Sequence, residues 1–573
     1  MAVANSIDAG AAVGVNTHPK GLYVLFATEM WERFSFYSML ALFTLYLQNP
    51  DEGFGWSAAQ ATGLYANYLM FVYASPLIGG WLADRKLGYR RAVMIGGVFF
   101  MAGHGLLSFR SLPAVYAALT CLVIGNGLFK PNVSTMVGNL YPEGSHLKDR
   151  AYNIFYMGIN IGAALAPIVM EIVKQKVGNH PAFAVAAFGM LISVGILWKF
   201  KRYVEEPPKD AVLTEPPGDV APVTVDAPPQ GVSHQVGAED ERTATTLGGM
   251  FAKASAARAS LMESVPESRR VFALIVIFAI VIVFWMVFHQ NGSTLTYWAD
   301  DNTDWDVTGT ISNAINPIWV VTLTFPLVWV WRFLDNRGKE PSTPTKMAIG
   351  MTLTGLSFFL LFFAAKAGEG IAPTESQYAT GEFRITERTL GNLKAEGVPD
   401  DVVSKLGAEA VSDDVATRLQ SEGVAEGILQ RLRLEVVNKK YEGSDKLMAD
   451  LFPILGPEQA EQYRAQIQRH SYLFRVSPLW LVLAYGIVTL GELMLSPMGL
   501  SLVSKVAPVR MRGLLMGGWF VATAIGNKLT MIGIYWDRWF QSTFFAVLGA
   551  CALVMAVVLI LLLKPLKRAM PGV

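Results

Sequence analysis

Three charged residues lie inside the first long apolar segment of the chain. Glu29, Glu32 and Arg33 are spaced i, i+3 and i+4, so in a helix they share one face. A charged side chain at membrane depth costs about 2.5 to 3.5 kcal/mol on insertion scales, so it usually faces a water-filled cavity and serves a function. The pattern favours the proton and substrate site of a transporter. The alternative interpretation is a structural ion pair that holds helices together.

The composition indicates a membrane protein with many spans. Of the 573 residues, 52% are hydrophobic and only 16% are charged, which is too apolar for a soluble protein. The formal net charge of +1 argues against nucleic acid as a partner. Cys121 and Cys551 lie in separate apolar segments, so we expect neither a disulfide framework nor a metal cluster.

Twelve apolar stretches approach the length of about 20 residues that a membrane-spanning helix needs. Basic residues follow the even-numbered stretches, which places those connections and both termini on one side, predicted to be the cytoplasm. We therefore expect a multi-pass protein of the plasma (inner) membrane. The predicted spans run near 21–47, 57–83, 91–109, 114–139, 151–173, 182–200, 270–298, 308–333, 346–366, 477–503, 513–535 and 541–564.

Two long connections divide the chain. Residues 203–269 are rich in proline and predict a disordered cytoplasmic linker whose end, at about 245–262, could form a helix. Residues 367–471 lie on the opposite side and carry helical patterns at 402–406 and 428–432, which predicts a small, mostly helical extracytoplasmic insertion between helices 9 and 10. The predicted N-terminal six-helix bundle comprises residues 1–202, and the linker comprises 203–269. The predicted C-terminal six-helix bundle comprises 270–366 together with 472–573, and the insertion comprises 367–471.

Two loops on the cytoplasmic side repeat one pattern. Asp84, Arg85 and Gly88 follow the second span, and Asp335-Asn336-Arg337-Gly338 follows the eighth. An acid, a base and a glycine turn at matched positions favour a tight hinge in two repeated halves. Ordinary enrichment of basic residues in cytoplasmic loops is the alternative.

The first of these loops, from Gly80 to Arg91, resembles the signature loop of the major facilitator superfamily. The run from Glu29 to Tyr37, with Glu-x-x-Glu-Arg-Phe, resembles the first-helix motif of the proton-dependent oligopeptide transporters (POT/PTR family). The resemblance covers both halves but neither the linker nor the insertion, and it implies an all-α membrane protein with a twelve-helix major facilitator fold. Further segments that match the family are Gly125–Asn132, Phe155–Gly162, Asn316–Pro317, Gly491–Gly499 and Met516–Phe520.

The resemblance and the depth of the charges together predict a substrate site for a short peptide. Arg33 and Lys130 are expected to bind the carboxylate of this zwitterion. Glu492, with Asn160 and Asn316, is expected to bind its amino group. The other predicted substrate-binding residues supply hydroxyls, an amide and apolar walls: Tyr37, Tyr73, Gln290, Trp285 and Trp519.

Two departures from the family pattern occur at the predicted site. Phe36 stands where the family usually has tyrosine, so one hydroxyl contact is absent. His289 precedes Gln290 where members often have glutamate. His104, between two glycines, is interpreted as a packing histidine.

Proton coupling is predicted to involve Glu29, Glu32, Arg33 and Lys130. A glutamate paired with a cation is ionised, and it takes a proton when the substrate carboxylate competes for that cation. We therefore expect proton-coupled symport of di- and tripeptides by alternating access. The expected protein acts as a monomer in the lipid bilayer, with protons as coupling ion and no other cofactor.

Other functions stay open at this point. A proton-coupled transporter of another small solute, such as nitrate or a metabolite, would use a similar fold. A nutrient receptor that binds ligand through the insertion without translocation is a second alternative. An enzyme is not expected, because the spans contain no nucleophile–base pair and no cluster of metal ligands.

Overall fold

The structure is a computed structural model dominated by long helices. Among the described residues, one long helix coincides with each of eleven predicted spans, and two helices share the seventh. By length and composition alone, eight candidate spans among the described residues are apolar enough to cross a membrane. The structure describes residues 18–141, 147–204, 264–305, 309–408, 436–508 and 511–570. The helices predicted at 245–262 and 428–432 lie outside these residues.

The N-terminal half consists of six long helices around a core of apolar side chains that runs from Leu22 to Val204. Each helix is within a few residues of its predicted span. The helices are α1 (Lys20–Gln48), α2 (Ala58–Leu82), α3 (Tyr89–Leu106), α4 (Leu112–Asn139), α5 (Leu147–Val177) and α6 (Asn179–Phe200).

The C-terminal half has the same number of spans around its own core. The span predicted near 270–298 is broken, because a short 3₁₀ turn at His289–Gly292 separates α7 from α8. The helices of this half are α7 (Glu267–Phe288), α8 (Thr294–Asp301), α9 (Gly309–Asp335), α10 (Thr343–Glu369), α17 (Pro478–Val506), α18 (Arg512–Leu529) and α19 (Gln541–Ala569).

The connection between α10 and α17 folds into the mostly helical insertion that its sequence predicts. It has its own core, which includes Phe383, Leu393 and Leu451. The sequence analysis missed a two-stranded antiparallel sheet in which Phe383 pairs with Tyr441. The elements are α11 (Glu375–Thr380), β1 (Glu382–Arg384), α12 (Glu387–Ala395), α13 (Asp400–Leu406), β2 (Lys440–Glu442), α14 (Ser444–Leu455), α15 (Pro457–Gln462) and α16 (Arg464–Ser471).

The helices of the two halves pack in the same pattern. In the N-terminal half α1 packs on α5 and α6, and α3 packs on α4 and α6; in the C-terminal half α7 packs on α18 and α19, and α10 packs on α17 and α19. The halves meet through two further equivalent pairs, α5 with α9 and α2 with α18. This matched packing is what an internal repeat produces.

Glycine pairs allow equivalent helices to approach closely. A Cβ at Gly96 would lie 2.8 Å from the carbonyl oxygen of Gly125, where α3 crosses α4. A Cβ at Gly491 would lie 2.6 Å from the carbonyl oxygen of Gly350, where α10 crosses α17. Since Glu492 follows Gly491 directly, the second crossing also fixes the depth of this predicted site residue.

The two repeated loops, which follow the second and eighth spans, have matching geometry. Gly88 has φ 78° and Gly338 has φ 61°, a conformation that side-chain-bearing residues rarely adopt. In each loop an arginine lies over the aromatic ring of the residue four positions earlier. The distance from the guanidinium carbon to the ring centre is 5.2 Å for Arg85 over Trp81 and 3.9 Å for Arg337 over Phe333. The shared turn supports the two-repeat interpretation, and the role as a hinge stays a prediction.

Replacing Gly491 by alanine should destabilise the C-terminal half, because the new methyl group would overlap the backbone of α10. Overpacking of this kind costs about 1 to 3 kcal/mol, so we expect a lower midpoint of thermal unfolding in detergent. Gly391→Ala in α12 is the matched control, since nothing lies within 4 Å of its Cβ position. Equal midpoints for the two variants would contradict the close crossing.

Candidate functional site

A buried ionic group in α1 forms the first part of the site. The side chain of Arg33 donates from Nη2 to Glu32 Oε1 at 2.6 Å and also contacts Glu32 Oε2 through Nε. Its Nε lies 3.3 Å from Glu29 Oε1, one turn earlier. All three residues are at most 2% exposed. The three charges share one helix face, as their spacing predicts.

One carboxylate oxygen of this group is left over. Glu29 Oε2 is buried and accepts no hydrogen bond from any residue that the structure describes. An ionised oxygen without a donor in a buried environment is unfavourable, and a bound proton would remove its charge. Glu29 is therefore the carboxylate of the group most suited to take up a proton.

The close packing of α5 positions Arg33. A Cβ at Gly162 would overlap the carbonyl oxygen of Met30 and would lie 3.2 Å from Arg33 Cβ. Only glycine lets the two helices meet here, so the motif glycine of α5 and the charged motif of α1 belong to one contact. On its other side, the guanidinium group of Arg33 lies 4.9 Å from the ring centre of Phe36.

Lys130 of α4 provides a second cation in the same half. Its ammonium group interacts electrostatically with Arg33, Glu29 and Glu32. It lies 5.0 Å from the ring centre of Tyr73 in α2. In the described part of the chain Lys130 makes no ion pair within 4.0 Å, whereas Arg33 has two carboxylate partners. Lys130 is therefore the cation that can accept a new anionic partner.

Glu492 of α17 provides a carboxylate in the opposite half. Asn316 of α9 donates from Nδ2 to Glu492 Oε2 at 2.9 Å and lies equally close to the hydroxyl of Thr489. The amide therefore fixes the carboxylate without neutralising its charge. Within the described residues Glu492 has no cation within ion-pair distance, so it can accept an ammonium group.

A row of rings connects the two halves between these charges. Tyr73 of α2 packs against His289 of the C-terminal half with ring centres 5.6 Å apart. His289 stacks on Trp285 of α7 at 5.1 Å. Trp285 is 8% exposed, and its Nε1 lacks an acceptor among the residues described. Lys130, Tyr73, His289 and Trp285 thus follow one another across the interface.

Two tyrosines place the charges of both halves at one site. Tyr37 of α1 interacts electrostatically with Arg33 and with Glu492. Tyr73 interacts with the same two charged residues and with Tyr37. Residues from α1, α2, α4 and α17 therefore lie near one another at the interface of the two halves, and their role in binding stays a prediction.

Two further predicted site residues, Asn160 and Trp519, are largely buried. Asn160 of α5 is 6% exposed and donates to the carbonyl oxygen of Tyr156 at 3.0 Å, which leaves its side-chain oxygen as the group for a ligand. Trp519 of α18 is 3% exposed and packs against Phe278 inside the C-terminal half. Trp519 therefore belongs to the core of the C-terminal half.

Gln290 differs from the sequence prediction that it binds substrate. It is fully buried in the turn that breaks the seventh span. Its amide nitrogen donates to the carbonyl oxygens of Met286 and Thr530, and its oxygen accepts from the hydroxyl of Thr294 at 2.8 Å. Both the nitrogen and the oxygen of the Gln290 amide are therefore hydrogen-bonded at the turn, so the side chain holds the turn in place.

His104 occupies the packing position that the sequence analysis gives it. It is fully buried in α3 and stacks on Phe100 with ring centres 6.0 Å apart. Neither ring nitrogen has a hydrogen-bond partner among the described residues. His104 lies in the N-terminal core.

Sequence reasoning missed two side chains of the site. Tyr68 of α2 interacts electrostatically with Arg33, Glu32 and Tyr73, and its buried hydroxyl has no partner in the described part of the chain. Its recurrence with Tyr65 and Tyr73 along one apolar helix is the signal that could have identified it. His289, whose role the sequence left open, contacts Tyr73 directly.

The arrangement suits a small zwitterion. Among the described residues it presents an ammonium group without an ion pair on one half, a carboxylate without an ion pair on the other, and aromatic rings at the interface of the halves. The buried acid–base group beside Lys130 can exchange a proton when the charge near it changes.

The chain is similar to known membrane transporters. A model of the POT family matches residues 90–386 and 452–546. The chain is 28% identical to the uncharacterized transporter YclF of Bacillus subtilis over 97% of this chain and 96% of that protein. It is 25% identical to the di-/tripeptide transporter of Lactococcus lactis subsp. lactis over 97% of each chain.

The fold is also similar to that of solved structures. The crystal structure of peptide transporter POT in complex with sulfate aligns with a TM-score of 0.66 at 25% identity and covers 98% of this chain and 97% of that one. A POT family transporter in complex with 5-aminolevulinic acid aligns with a TM-score of 0.64 at 21% identity over 97% of this chain and 98% of that one. The major facilitator fold expected from the sequence is confirmed.

Replacing Gln290 by alanine should lower stability, because three hydrogen-bond partners in the turn would lose their bonds. Leaving buried polar groups unpaired costs about 1 to 3 kcal/mol. We expect a lower melting midpoint than for the exposed control Gln462→Ala. A stable Gln290→Ala protein with weakened ligand binding would instead favour the original prediction.

Proposed function

The chain belongs to the POT family, and from this premise we propose that it is a proton-coupled symporter of di- and tripeptides that works by alternating access. The relatives named as di-/tripeptide transporters align with nearly the whole chain, which supports the proposal. The chain is a multi-pass membrane protein and not an enzyme. The proposed location is the plasma (inner) membrane, with both termini in the cytoplasm.

The observation that carries the proposal is a pair of opposite charges, on opposite halves, that have no ionic partner among the described residues. Lys130 would bind the carboxylate of the peptide, assisted by Arg33. Glu492, held by Asn316, would bind the amino group. A bound peptide would then connect the two halves through its own ends, and its side chains would meet mainly aromatic walls such as Trp285. Contacts to the shared ends and backbone explain how one site would accept many sequences.

The proton would enter through the buried acid–base group of α1. When the peptide carboxylate attracts Lys130 and Arg33, Glu29 and Glu32 lose part of the positive charge that stabilises their ionised forms. Glu29, whose Oε2 has no donor among the described residues, would be protonated first. Neutralisation weakens the ion pairs with Arg33 and lets the halves move. Protons are the only coupling species proposed, with no other cofactor, and the functional unit is one chain in the bilayer.

The driving force is sufficient for accumulation. One pH unit supplies about 1.4 kcal/mol for each proton. A membrane potential of about 100 mV adds about 2.3 kcal/mol for each charge moved. Together these values correspond to a concentration gradient of several hundredfold for one proton per peptide.

Lys130→Ala and Glu492→Ala should each raise the KM for dipeptide uptake into liposomes by about 30-fold or more. Removing one partner of a buried charge pair costs about 2 to 5 kcal/mol. The measurement is uptake of a labelled dipeptide, driven by an inward proton gradient, over a range of peptide concentrations.

Lys394→Ala and Glu375→Ala are the controls, because both residues are exposed in the insertion. They should leave the KM unchanged. Parental KM values in the Lys130 and Glu492 variants would contradict the assigned contacts. Stronger competition by nitrate than by di- and tripeptides would instead favour a transporter of another solute.

Glu29→Gln should abolish proton-driven accumulation while preserving counterflow exchange of peptide between the two sides. The neutral amide imitates the protonated acid, so the halves can still move but no proton is carried. Glu32→Gln should have the same effect if the two carboxylates share the proton. Acidification of the liposome lumen on peptide addition measures the coupled proton directly.

Glu375→Gln is the matched control for this change and should transport protons like the parent. Accumulation that persists in both Glu29→Gln and Glu32→Gln would refute the coupling role. Peptide binding without any acidification in the parent protein would favour a receptor.

A further inference from the structure

A buried carboxylate on the outer side joins the two halves. Asp537 lies between α18 and α19 in the C-terminal half and is 7% exposed. Its Oδ2 accepts a hydrogen bond of 3.1 Å from the backbone N–H of Ala58, the first residue of α2 in the N-terminal half. A carboxylate at this position is also stabilised by the dipole of the helix. The contact therefore holds the outer end of α2 against the other half.

Helix α2 does not need this contact in order to begin. Ser57 accepts from the backbone N–H of Gln60 at 3.2 Å, and the side chain of Gln60 accepts from the Ser57 N–H at 3.0 Å. This capping box leaves the Ala58 N–H unsatisfied. Asp537 satisfies that N–H from the opposite half, so the bond serves the interface between the halves.

Other polar contacts close the same outer interface. The hydroxyl of Thr44 donates to the carbonyl oxygen of Gly292 at 3.2 Å. The hydroxyls of Thr62 and Tyr297 lie 3.2 Å apart. These bonds involve uncharged groups, whereas an ionised Asp537 would make a charge-assisted and therefore stronger hydrogen bond.

The insertion holds the segment that carries Asp537. The backbone N–H of Arg388 in α12 donates to the carbonyl oxygen of Asp537 at 2.7 Å. The guanidinium group of Arg388 donates to the carbonyl oxygen of Trp539 at 3.0 Å and to Gln541 Oε1 at 2.5 Å. Arg388 thus binds the turn before α19 at three successive points.

A second arginine of the insertion lies near the same carboxylate. Arg384 forms a two-bond pair with Asp301 of α8, at 2.6 and 2.9 Å. Burial raises the pKa of Asp537, and the guanidinium groups of Arg384 and Arg388 act in the opposite direction. The insertion therefore both places the Asp537 carboxylate and favours its ionised form.

From these contacts we infer that Asp537 is an outer latch of the transport cycle and that the insertion positions it. With the outer side closed, the Asp537 carboxylate binds the N-terminus of α2. Opening of the outer side breaks this bond. The insertion moves with the C-terminal half, to which Arg384 and Arg388 attach it. Residues 367–471 would thus set how readily the site opens to the outside.

The test measures the outer opening by pulsed electron paramagnetic resonance. Spin labels at Lys176 and Leu479, exposed near the outer ends of α5 and α17, report the outer distance between the halves. Labels at Lys86 and Asn336 report the inner distance. Cys121 and Cys551 are first replaced by serine. No peptide and no pH gradient are used, so the result is independent of the proposed substrate.

Asp537→Asn should raise the ratio of outer-open to outer-closed molecules about three- to tenfold, because the charged contact with α2 is lost. The inner distance should shorten in the same proportion of molecules. Asp537→Glu, which keeps the charge, should restore most of the parental ratio. The control Asp400→Asn, at an exposed site of the insertion, should change nothing. Unchanged distances in Asp537→Asn would overturn the proposal.

Arg388→Ala tests the role of the insertion. If Arg388 acts through Asp537, this variant should shift the ratio in the same direction, and the double variant should shift it no further. Arg538→Gln removes the exposed pair of Arg538 with Glu387 between the same two segments and should have no effect. A full additional shift in the double variant, or an equal shift in Arg538→Gln, would show that the insertion does not act through the latch. Arg388→Lys replaces the alanine variant if that protein fails to fold.

Discussion

A charge inside a bilayer must be compensated, and this constraint organises the protein. Arg33 of the α1 group pairs with two glutamates and offsets only one of their two charges, while Lys130 interacts with both carboxylates. Lys130 and Glu492 are compensated only partly, by a tyrosine ring on one side and an amide on the other. A ligand with a charge at each end completes both at once. These two partly compensated charges would thus give the proposed site its affinity for a zwitterion.

The repeated fold turns this local chemistry into movement. Each half is a rigid bundle with glycine crossings such as Gly350 with Gly491, and the halves meet through equivalent helix pairs. The charges that need a ligand are divided between the halves, so binding and relative motion are linked. On the outer side the same division recurs, because Asp537 belongs to one half and the amide of Ala58 to the other. The insertion, which lies outside the repeat, acts on this second contact.

Much of this could be predicted from the sequence, because membrane spans and buried charges leave strong patterns. The span limits and the shared helix face of Glu29 and Arg33 follow from hydropathy and helical spacing. Gln290 was predicted to bind substrate, because hydropathy does not reveal the break in the seventh span where its side chain lies. Tyr68 and Asp537 were missed because their partners are distant in sequence and are brought close only by tertiary packing.

The central claim is that Glu492 binds the amino end of the substrate and Lys130 the carboxylate end. Its most direct test is a cycle of binding affinities for a dipeptide, its N-acetylated form and its C-terminal amide, each measured on the parent, Glu492→Ala and Lys130→Ala. The account predicts that acetylation weakens the affinity of the parent for the dipeptide but hardly changes the affinity of Glu492→Ala. Amidation should weaken the affinity of the parent but hardly change the affinity of Lys130→Ala. The claim would be contradicted if acetylation weakened binding to Glu492→Ala, and amidation weakened binding to Lys130→Ala, by the same factors as in the parent.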